Sequence, residues 1–334
     1  MIQVGVIGYG YWGPNIVRNF RQTDGLQVVA ICDRDRSTHQ RIQRENPGVE
    51  VTNDCDSIIK SPRIDAIAIV TPVSTHYDLA LSALRQGKHV FVEKPMTQTS
   101  AQARELGDVA LAKGLTVMVD HTFLFTGAVR KIKELMTERV LGDIYYYDST
   151  RVNLGLFQHD VNVIWDLAPH DFSIMYHLID DKPTSVVACG RSHVNGMEDV
   201  AYVTVGFSHG RTLAHFNVNW LSPVKVRTTL IGGKKKMLVW DDLSADEKVR
   251  VYDRGVNVTT REGIYKLLVA YRSGDMHAPR IDHQEALRLE SQYFVECIDK
   301  KHLPINGAEA GYEVVRMLEA CDESLRNDGR QVKL

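Results

Sequence analysis

The sequence predicts an α/β fold: a doubly wound N-terminal domain followed by an α+β domain with a large, mostly antiparallel open sheet. At the start of the chain, short apolar runs alternate with helical stretches, as in a parallel sheet covered on both faces. After residue 121, strand-like runs follow one another with short turns, which favours antiparallel pairing. The length of 334 residues favours two domains over one. We place these domains at residues 1–121 and 122–334.

The predicted elements of the first domain alternate without interruption. Each strand reads as a continuous apolar run, so we expect both of its faces to be buried. The intervening helices provide the crossovers that parallel strands require. The predicted strands are QVGVIG, VVAICD, AIAIVTP, HVFVEKP and LTVMVD, and the intervening helices begin near Pro14, run through Arg41, run through Leu84 and precede LTVMVD.

The second domain is predicted to consist mainly of strands and to end in helices. Little helix separates its strand-like runs, which favours an antiparallel or mixed sheet. Two helical segments, at about residues 284–301 and 308–327, close the chain, and Asn327-Asp328-Gly329 supplies a stop. The predicted strands are IYYYDSTRV, SVVACGR, VAYVTVGFS, TLAHFNVNW, RTTLIGG and KMLVW.

Composition and charge argue against several classes of function. The formal net charge of −2 leaves no basic excess for nucleic acid. The five cysteines are odd in number and include no CxxC pair, so we interpret them as small core residues in a reducing compartment. No charged leader precedes the first strand, and no apolar run approaches the ~20 residues of a membrane span. We therefore expect a cytoplasmic protein without nucleic-acid or membrane partners.

A glycine-rich turn follows the first strand. It contains Gly8, Gly10 and Gly13, it is followed by a helix, and Asp33 stands at the end of the second strand. GxGxxG alone is weak evidence, but with these flanking elements it is the fingerprint of a dinucleotide-binding Rossmann domain. The glycines allow the turn and a close approach to the pyrophosphate, which the helix N-terminus attracts. The alternative is a tight turn without a ligand.

The acidic residue after the second strand indicates which dinucleotide binds. Asp33 can accept both ribose hydroxyls and would repel a 2′-phosphate, which favours NAD. Arg34 next to it could weaken this preference for NAD, so NADP use stays open. Tyr11 and Trp12 of the turn complete the cofactor-binding candidates in this part of the chain.

A second motif adds a family resemblance. Glu93-Lys94-Pro95 directly follows the strand HVFV, and Thr71-Pro72 follows the preceding strand. Together with the glycine turn, these residues resemble the glucose–fructose oxidoreductase, inositol dehydrogenase and MocA family over essentially the whole chain. The resemblance implies that Lys94 lies beside the nicotinamide and the substrate hydroxyl, that the Lys–Pro bond is often cis, and that His76 also contributes to the cofactor site. The alternative for Lys94 is a solvated surface lysine.

The stretch VIWDLAPHD at residues 163–171 resembles the start of a catalytic helix in that family. We expect Asp166 to be the helix N-cap and Pro169 to fall in the first turn. Asp166 and His170 stand at i and i+4, so both side chains can point at one pocket. The implied chemistry is hydride transfer, with His170 as base, Asp166 orienting the substrate or the imidazole, and Lys94 holding the hydroxyl oxygen. The alternative is a helix cap and a paired core histidine.

Several further residues match a branch associated with bacterial sugar and nucleotide-sugar biosynthesis. Guanidinium and amide groups suit polyols or phosphates, although each residue alone is more often structural. The substrate-binding candidates are His121, Arg151, Asn153, Asn162 and Tyr271, together with Lys94, Asp166 and His170.

The resemblance therefore implies an NAD(P)-dependent dehydrogenase acting on a secondary ring hydroxyl of a sugar or nucleotide sugar, with C3 as the natural guess. An inositol or free-sugar dehydrogenase, an enzyme that forms a transient keto sugar with tightly held NAD, and a non-catalytic NAD-binding regulator are the alternatives. No HExxH or paired histidine spacing supports a metal, and we expect none to be required. The resemblance also implies a homodimer or homotetramer formed through the open face of the second sheet.

Overall fold

The computed structural model describes residues 1–155, 161–257 and 270–334. The chain divides into two compact units, residues 1–125 with 284–316 and residues 126–283 with 317–334. The α-helices in the described part are α1 (Gly13–Arg21), α2 (His39–Glu45), α3 (Cys55–Ile59), α4 (His76–Arg85), α5 (Ser100–Lys113), α6 (Gly127–Thr137), α7 (Val163–Leu178), α8 (Ala286–Lys300) and α9 (Ala308–Arg326).

The first unit is built on a parallel sheet of six strands in the order β3-β2-β1-β4-β5-β6. Its neighbouring strands pair in parallel throughout, as the alternation of strands and helices predicts. The order reverses between β1 and β4, and ligands of doubly wound sheets bind at this switch point. The strands are β1 (Ile2–Ile7), β2 (Leu26–Cys32), β3 (Glu50–Thr52), β4 (Ala66–Ile69), β5 (His89–Val92) and β6 (Val117–Val119).

A cluster of three phenylalanines occupies the core of the first unit. Phe20 of α1 and Phe91 of β5 meet edge to face with ring centroids 5.3 Å apart. Phe294 of α8 lies 5.7 Å from Phe91 and stacks on Phe20 at 6.3 Å. This packing places α8 in the first unit, whereas the domain boundary predicted after residue 121 assigns it to the second domain.

The second unit is built on a sheet of nine strands in the order β14-β13-β12-β11-β7-β10-β9-β8-β15. Among the described strands of this sheet, only β7 and β10 pair in parallel; the other neighbours are antiparallel. Helix α7 packs on one face, where Phe172 meets Phe216 of β10 at 4.9 Å. The strands are β7 (Ile144–Leu154), β8 (Pro183–Arg191), β9 (Val200–Phe207), β10 (Leu213–Asn219), β11 (Leu221–Gly233), β12 (Met237–Asp241), β13 (Val249–Asn257), β14 (Ala270–His277) and β15 (Val332–Lys333).

These two sheets confirm the predicted fold class. The strands that sequence analysis missed are short or rich in charge: β3 and β15 have 3 and 2 residues, and β13 and β14 carry several charged side chains. The interpretation of all cysteines as core residues is wrong at Cys189, which is exposed. Cys32 is buried, and its Sγ lies 3.3 Å from Sγ of the half-buried Cys55.

Candidate functional site

The glycine turn between β1 and α1 is shaped to receive a diphosphate. Gly8 has a φ of +101°, and a side chain there would overlap the Val70 carbonyl. A Cβ at Gly13 would overlap the Gly8 carbonyl, whereas one at Gly10 would meet no atom within 4 Å. The backbone at Gly10 is therefore open to a ligand beside the N-terminus of α1. These observations fit a bound dinucleotide.

Asp33 is positioned beside this turn. It directly follows β2, and its Oδ2 accepts a hydrogen bond from the Tyr9 backbone N–H at 2.7 Å. Its Oδ1 accepts from the Asp35 backbone N–H at 2.8 Å. The carboxylate is thereby fixed and half-buried, while Arg34 is exposed. This geometry suits an acceptor for ribose hydroxyls.

The two aromatic residues of the turn differ in their surroundings. Tyr11 is 92% exposed. Trp12 is half-buried against the core, and its Nε1 donates to Oδ2 of Asp120 at 2.8 Å. The indole N–H thus has a protein acceptor, and Trp12 links the turn to the carboxyl end of β6.

His76 joins the Thr71-Pro72 segment to the EKP segment. It begins α4 and is 1% exposed, and its ring nitrogens lie 2.8 Å from the Thr71 carbonyl and 2.9 Å from the Pro95 carbonyl. Burial lowers the pKa of His76, and a neutral ring donates to only one of these oxygens at a time. The structure therefore gives this predicted cofactor ligand two backbone partners. Pro72 is exposed at the start of a short 3-10 helix.

The EKP segment lies at the carboxyl end of β5. The Lys94–Pro95 peptide bond is cis. The Glu93 carboxylate accepts a hydrogen bond from the Lys94 backbone N–H, and the Lys94 side chain is half-buried.

His121 follows β6, the neighbour of β5 in the sheet. It is 0% exposed. Burial, reinforced by the charge of Lys94, lowers its pKa to about 3. A ring that stays neutral near pH 7 can orient a ligand, but it cannot serve as a general base by becoming protonated there.

The expected start of α7 is wrong. The N-cap is Asn162, whose Oδ1 accepts from the backbone N–H groups of Ile164 and Trp165, both at 3.1 Å. Asn162 Nδ2 donates to Asp322 at 3.1 Å. Asp166 lies within the helix, and so does Pro169. Asn and Asp are both strong N-caps, so the sequence offered two candidate starts and the earlier one is used.

Asp166 and His170 are brought together on one face of α7, as the i, i+4 spacing predicts. Both side chains are half-buried. The indole N–H of Trp220 donates to Asp166 Oδ2 at 3.1 Å, which fixes the direction of the carboxylate. The indole of Trp220, which follows β10, was not among the predicted site residues.

Arg151 is held by an acidic partner within the protein. It is 4% exposed, and its Nε and Nη2 donate to the two oxygens of Asp171 at 2.7 and 3.0 Å. Ser149 also donates to this carboxylate at 3.1 Å. This bidentate pair ties β7 to α7, so the guanidinium predicted to bind substrate has a structural partner.

Two other predicted substrate ligands lie on strands of the second unit. Asn153 is half-buried near the end of β7. Tyr271 lies on β14, where its backbone pairs with Val256, and its side chain lies outside the described residues.

Sequence reasoning missed a buried pair of acids in the first unit, Asp120 and Glu290. Asp120 directly follows the apolar strand β6, and a carboxylate at that edge of a parallel sheet is itself a signal of a site. Glu290 shares one face of α8 with Leu287, Phe294 and Cys297, so an acid interrupts an otherwise apolar stripe. The pairing was not predictable because the two residues lie far apart in the chain.

Comparison with known proteins identifies the class and then the family. Residues 2–121 match the family model described as an oxidoreductase family NAD-binding Rossmann fold, and residues 133–334 match its C-terminal alpha/beta domain. The chain belongs to the glucose–fructose oxidoreductase, inositol dehydrogenase and MocA family of oxidoreductases, as the motifs indicate, and its first unit binds NAD.

Three similar proteins illustrate the family. A scyllo-inositol 2-dehydrogenase (NADP(+)) of Bacillus subtilis is 27% identical over 97% of this chain and 93% of its own. A D-glucoside 3-dehydrogenase of Escherichia coli is 30% identical over 43% of this chain and 41% of its own. The structure of a UDP-N-acetylglucosamine 3-dehydrogenase from Acidithiobacillus ferrooxidans superposes with a TM-score of 0.81 at 21% identity, covering 98% of this chain and 99% of that one. This last likeness shows the shared fold.

The described residues contain neither a clustered set of metal ligands nor a membrane-spanning helix. Within residues 1–155, 161–257 and 270–334, no group of three or more His, Cys, Asp or Glu side chains is arranged to hold a metal ion. No helix in the same ranges is long and apolar enough to cross a membrane.

Proposed function

We propose that this protein is an NAD(P)-dependent dehydrogenase that transfers a hydride between nicotinamide and a secondary ring hydroxyl of a sugar or nucleotide sugar, with C3 as the first choice. The observation that carries the proposal is the pair Asp166 and His170, one turn apart on α7 and both half-buried. The similarity to a D-glucoside 3-dehydrogenase supports a sugar ring as the substrate.

His170 is the proposed general base. Oxidation of a carbinol releases a hydride from carbon and a proton from the hydroxyl, and the proton needs an acceptor. An imidazole takes up and releases protons near neutral pH. When bound, NAD supplies the hydride acceptor.

Asp166 and Lys94 are proposed to orient the substrate. The Asp166 carboxylate, held by Trp220 at 3.1 Å, can accept a hydrogen bond from a substrate hydroxyl or from the imidazole. The Lys94 ammonium can hold the hydroxyl oxygen and stabilise negative charge as the proton leaves. Each group is a proposed catalytic residue because it would touch the reacting hydroxyl.

The proposed cofactor contacts come from the first unit. The turn at Gly8, Gly10 and Gly13 would receive the diphosphate, and Asp33 would accept the ribose hydroxyls. The exposed Arg34 leaves NADP as a second cofactor, in line with the NADP(+) named for the Bacillus relative.

A spectrophotometric screen tests the function. The protein is mixed with NAD or NADP and with nucleotide sugars, free sugars and inositols, and reduced cofactor is measured. We expect at least one pyranose substrate to reduce NAD. Binding of NAD without turnover of any substrate, including keto forms tested in reverse with NADH, would favour a non-catalytic regulator.

An inositol dehydrogenase is the second candidate, favoured by the scyllo-inositol 2-dehydrogenase relative that covers nearly the whole chain. The same screen separates the sugar dehydrogenase from the inositol dehydrogenase. An inositol dehydrogenase would oxidise an inositol faster than any pyranose. An enzyme that keeps NAD bound and forms a transient keto sugar would instead be purified with NAD that dialysis does not remove.

Self-association and location complete the proposal. We propose a homodimer or homotetramer formed through the open face of the nine-stranded sheet. The cytoplasmic location expected from the sequence stays a prediction.

A further inference from the structure

Two buried acids of the first unit lie next to the EKP segment. Asp120 directly follows β6 and is 2% exposed, and Glu290 lies on α8 and is 0% exposed. The parallel strands β5 and β6 pair Val92 with Val119, and the Asp120 backbone N–H donates to the Val92 carbonyl at 2.8 Å. Asp120 and the EKP segment therefore share one edge of the sheet.

Each acid has one oxygen with a donor from the protein. Trp12 Nε1 donates to Asp120 Oδ2 at 2.8 Å. Asn306 Nδ2 donates to Glu290 Oε1 at 2.7 Å and to the Val119 carbonyl at 2.7 Å. Both outer oxygens of the pair are thus fixed in place.

We call the second oxygen of each acid its inner oxygen. Asp120 Oδ1 and Glu290 Oε2 are buried and make no well-formed hydrogen bond among the described residues, while the two carboxyl groups are within hydrogen-bonding reach of one another and of Thr122. Two carboxylates without a proton between them would repel strongly in a buried site. One proton on an inner oxygen satisfies both atoms.

The surrounding charges decide where that proton resides. Burial raises the pKa of both acids, and the negative charges of Asp120 and Glu93 raise that of Glu290 further. The positive charge of Lys94 acts in the opposite sense on Asp120. Glu290 is therefore the acid and Asp120 the carboxylate. The polar groups facing the pair are Trp12, Glu93, Lys94, His121, Thr122 and Asn306.

We propose that Asp120 and Glu290 are positioning residues for Lys94: they share a single proton and so place one negative charge, not two, beside its ammonium. This inference rests on the proposed function only in giving Lys94 a catalytic role. One charge stabilises the ammonium without an unpaired second carboxylate in the core. Because Trp12 belongs to the glycine turn, the same carboxylate connects that turn with the EKP segment.

Infrared spectroscopy tests the shared proton. At pH 8, ordinary carboxyl groups are ionised, and a protonated acid gives a separate C=O stretching band. We expect wild-type protein to show a band of about one carboxyl group that Glu290→Gln removes, because the glutamine amide replaces the neutral acid as donor to Asp120. Spectra without such a difference would overturn the shared proton.

Competitive labelling tests the effect on Lys94. Acetic anhydride reacts only with neutral amines, and mass spectrometry reports the labelling of Lys94 relative to Lys60, whose side chain is 60% exposed. Glu290→Gln keeps the charge on Asp120 and is expected to label like wild type. The double variant Asp120→Asn with Glu290→Gln removes the charge, and we expect Lys94 to label about tenfold faster at pH 8. Asp120→Asn alone is unsuitable because Glu290 would take over the charge.

The outcomes separate this inference from the proposed function, since neither measurement needs a substrate. Equal labelling of Lys94, within about twofold, in the wild type and the charge-free variant would overturn the positioning role. Should the amide pair fail to fold, Asp120→Leu with Glu290→Met also removes the charge and gives the same comparison.

Discussion

At the scale of single residues, burial decides which histidines can move a proton. His76 begins α4, after β4, and His121 follows β6. Burial lowers the pKa of both histidines, that of His121 to about 3. Both rings stay neutral near pH 7 and can only orient other groups. His170 is half-buried on α7, so part of its side chain is accessible to a ligand. This difference supports His170 as the base.

The variant Glu290→Gln is expected to flatten the dependence of stability on pH. Because burial and then the charge of Asp120 raise the pKa of Glu290, the folded protein keeps a proton that the unfolded chain releases near its ordinary value. The stabilisation is complete below about pH 4 and declines as the pH rises towards the folded value. Thermal unfolding between about pH 4 and 8 measures this change in stability. Parallel curves for wild type and variant would contradict this expectation.

The sequence reveals those candidate site residues whose signal is local. The glycine turn, Asp33, EKP and the Asp166–His170 spacing each lie within a short segment, so a pattern of residue types is enough to find them. The roles of Arg151 and Asn162 were not predictable, because the partners Asp171 and Asp322 are chosen by tertiary packing. An arginine or an asparagine gives the same sequence pattern whether its side chain binds a ligand or another side chain.

At the scale of elements, α7 is fixed at its start and along its length. Asn162 caps its first turn, and Asp171 pairs with Arg151 of β7. Trp220, which follows β10, holds Asp166 from the same sheet. The helix that carries Asp166 and His170 is thereby held on a rigid support, which suits a site that must keep its geometry.

Breaking the Arg151–Asp171 pair is expected to destabilise the second unit strongly. Asp171→Asn removes the counter-charge of a guanidinium that is 4% exposed, at a cost of about 3–5 kcal/mol in the free energy of unfolding. Arg151→Met with Asp171→Leu should recover most of that loss. Asp282→Asn is the matched control, because its pair with Arg130 is exposed and is worth about 0–1 kcal/mol. Urea unfolding that shows equal losses for Asp171→Asn and the control would refute this account.

At the scale of the whole molecule, the nine-stranded sheet has one face covered by α7 and an opposite face with exposed apolar side chains. These include Tyr146, Tyr202 and Leu213, which are 38%, 48% and 53% exposed. They lie on β7, β9 and β10, where Leu213 pairs directly with Tyr146 and the Tyr202 ring stacks on His215 of β10, so all three share this face. Apolar patches of this kind commonly mark an interface.

Leu213→Glu is expected to weaken self-association through this face. A carboxylate in the centre of an apolar contact would be buried without a partner, which costs several kcal/mol. Sedimentation at micromolar concentration should show a dimer or tetramer for the wild type and a shift towards monomer for the variant. Leu111→Glu, on the first unit and 73% exposed in the wild type, should keep the wild-type mass. A wild-type monomer would refute the proposed oligomer.

The measurement that tests the central claim most directly is the turnover of the substrate found in the screen by His170→Asn, with NAD binding measured on the same sample. The expected result is a fall in kcat of about 10²–10⁴-fold with the NAD dissociation constant nearly unchanged, because general-base catalysis contributes that much to the rate. His209→Asn, at a side chain that is 76% exposed in the same unit, should retain full activity. Turnover by His170→Asn within about threefold of wild type would contradict hydride transfer assisted by this histidine.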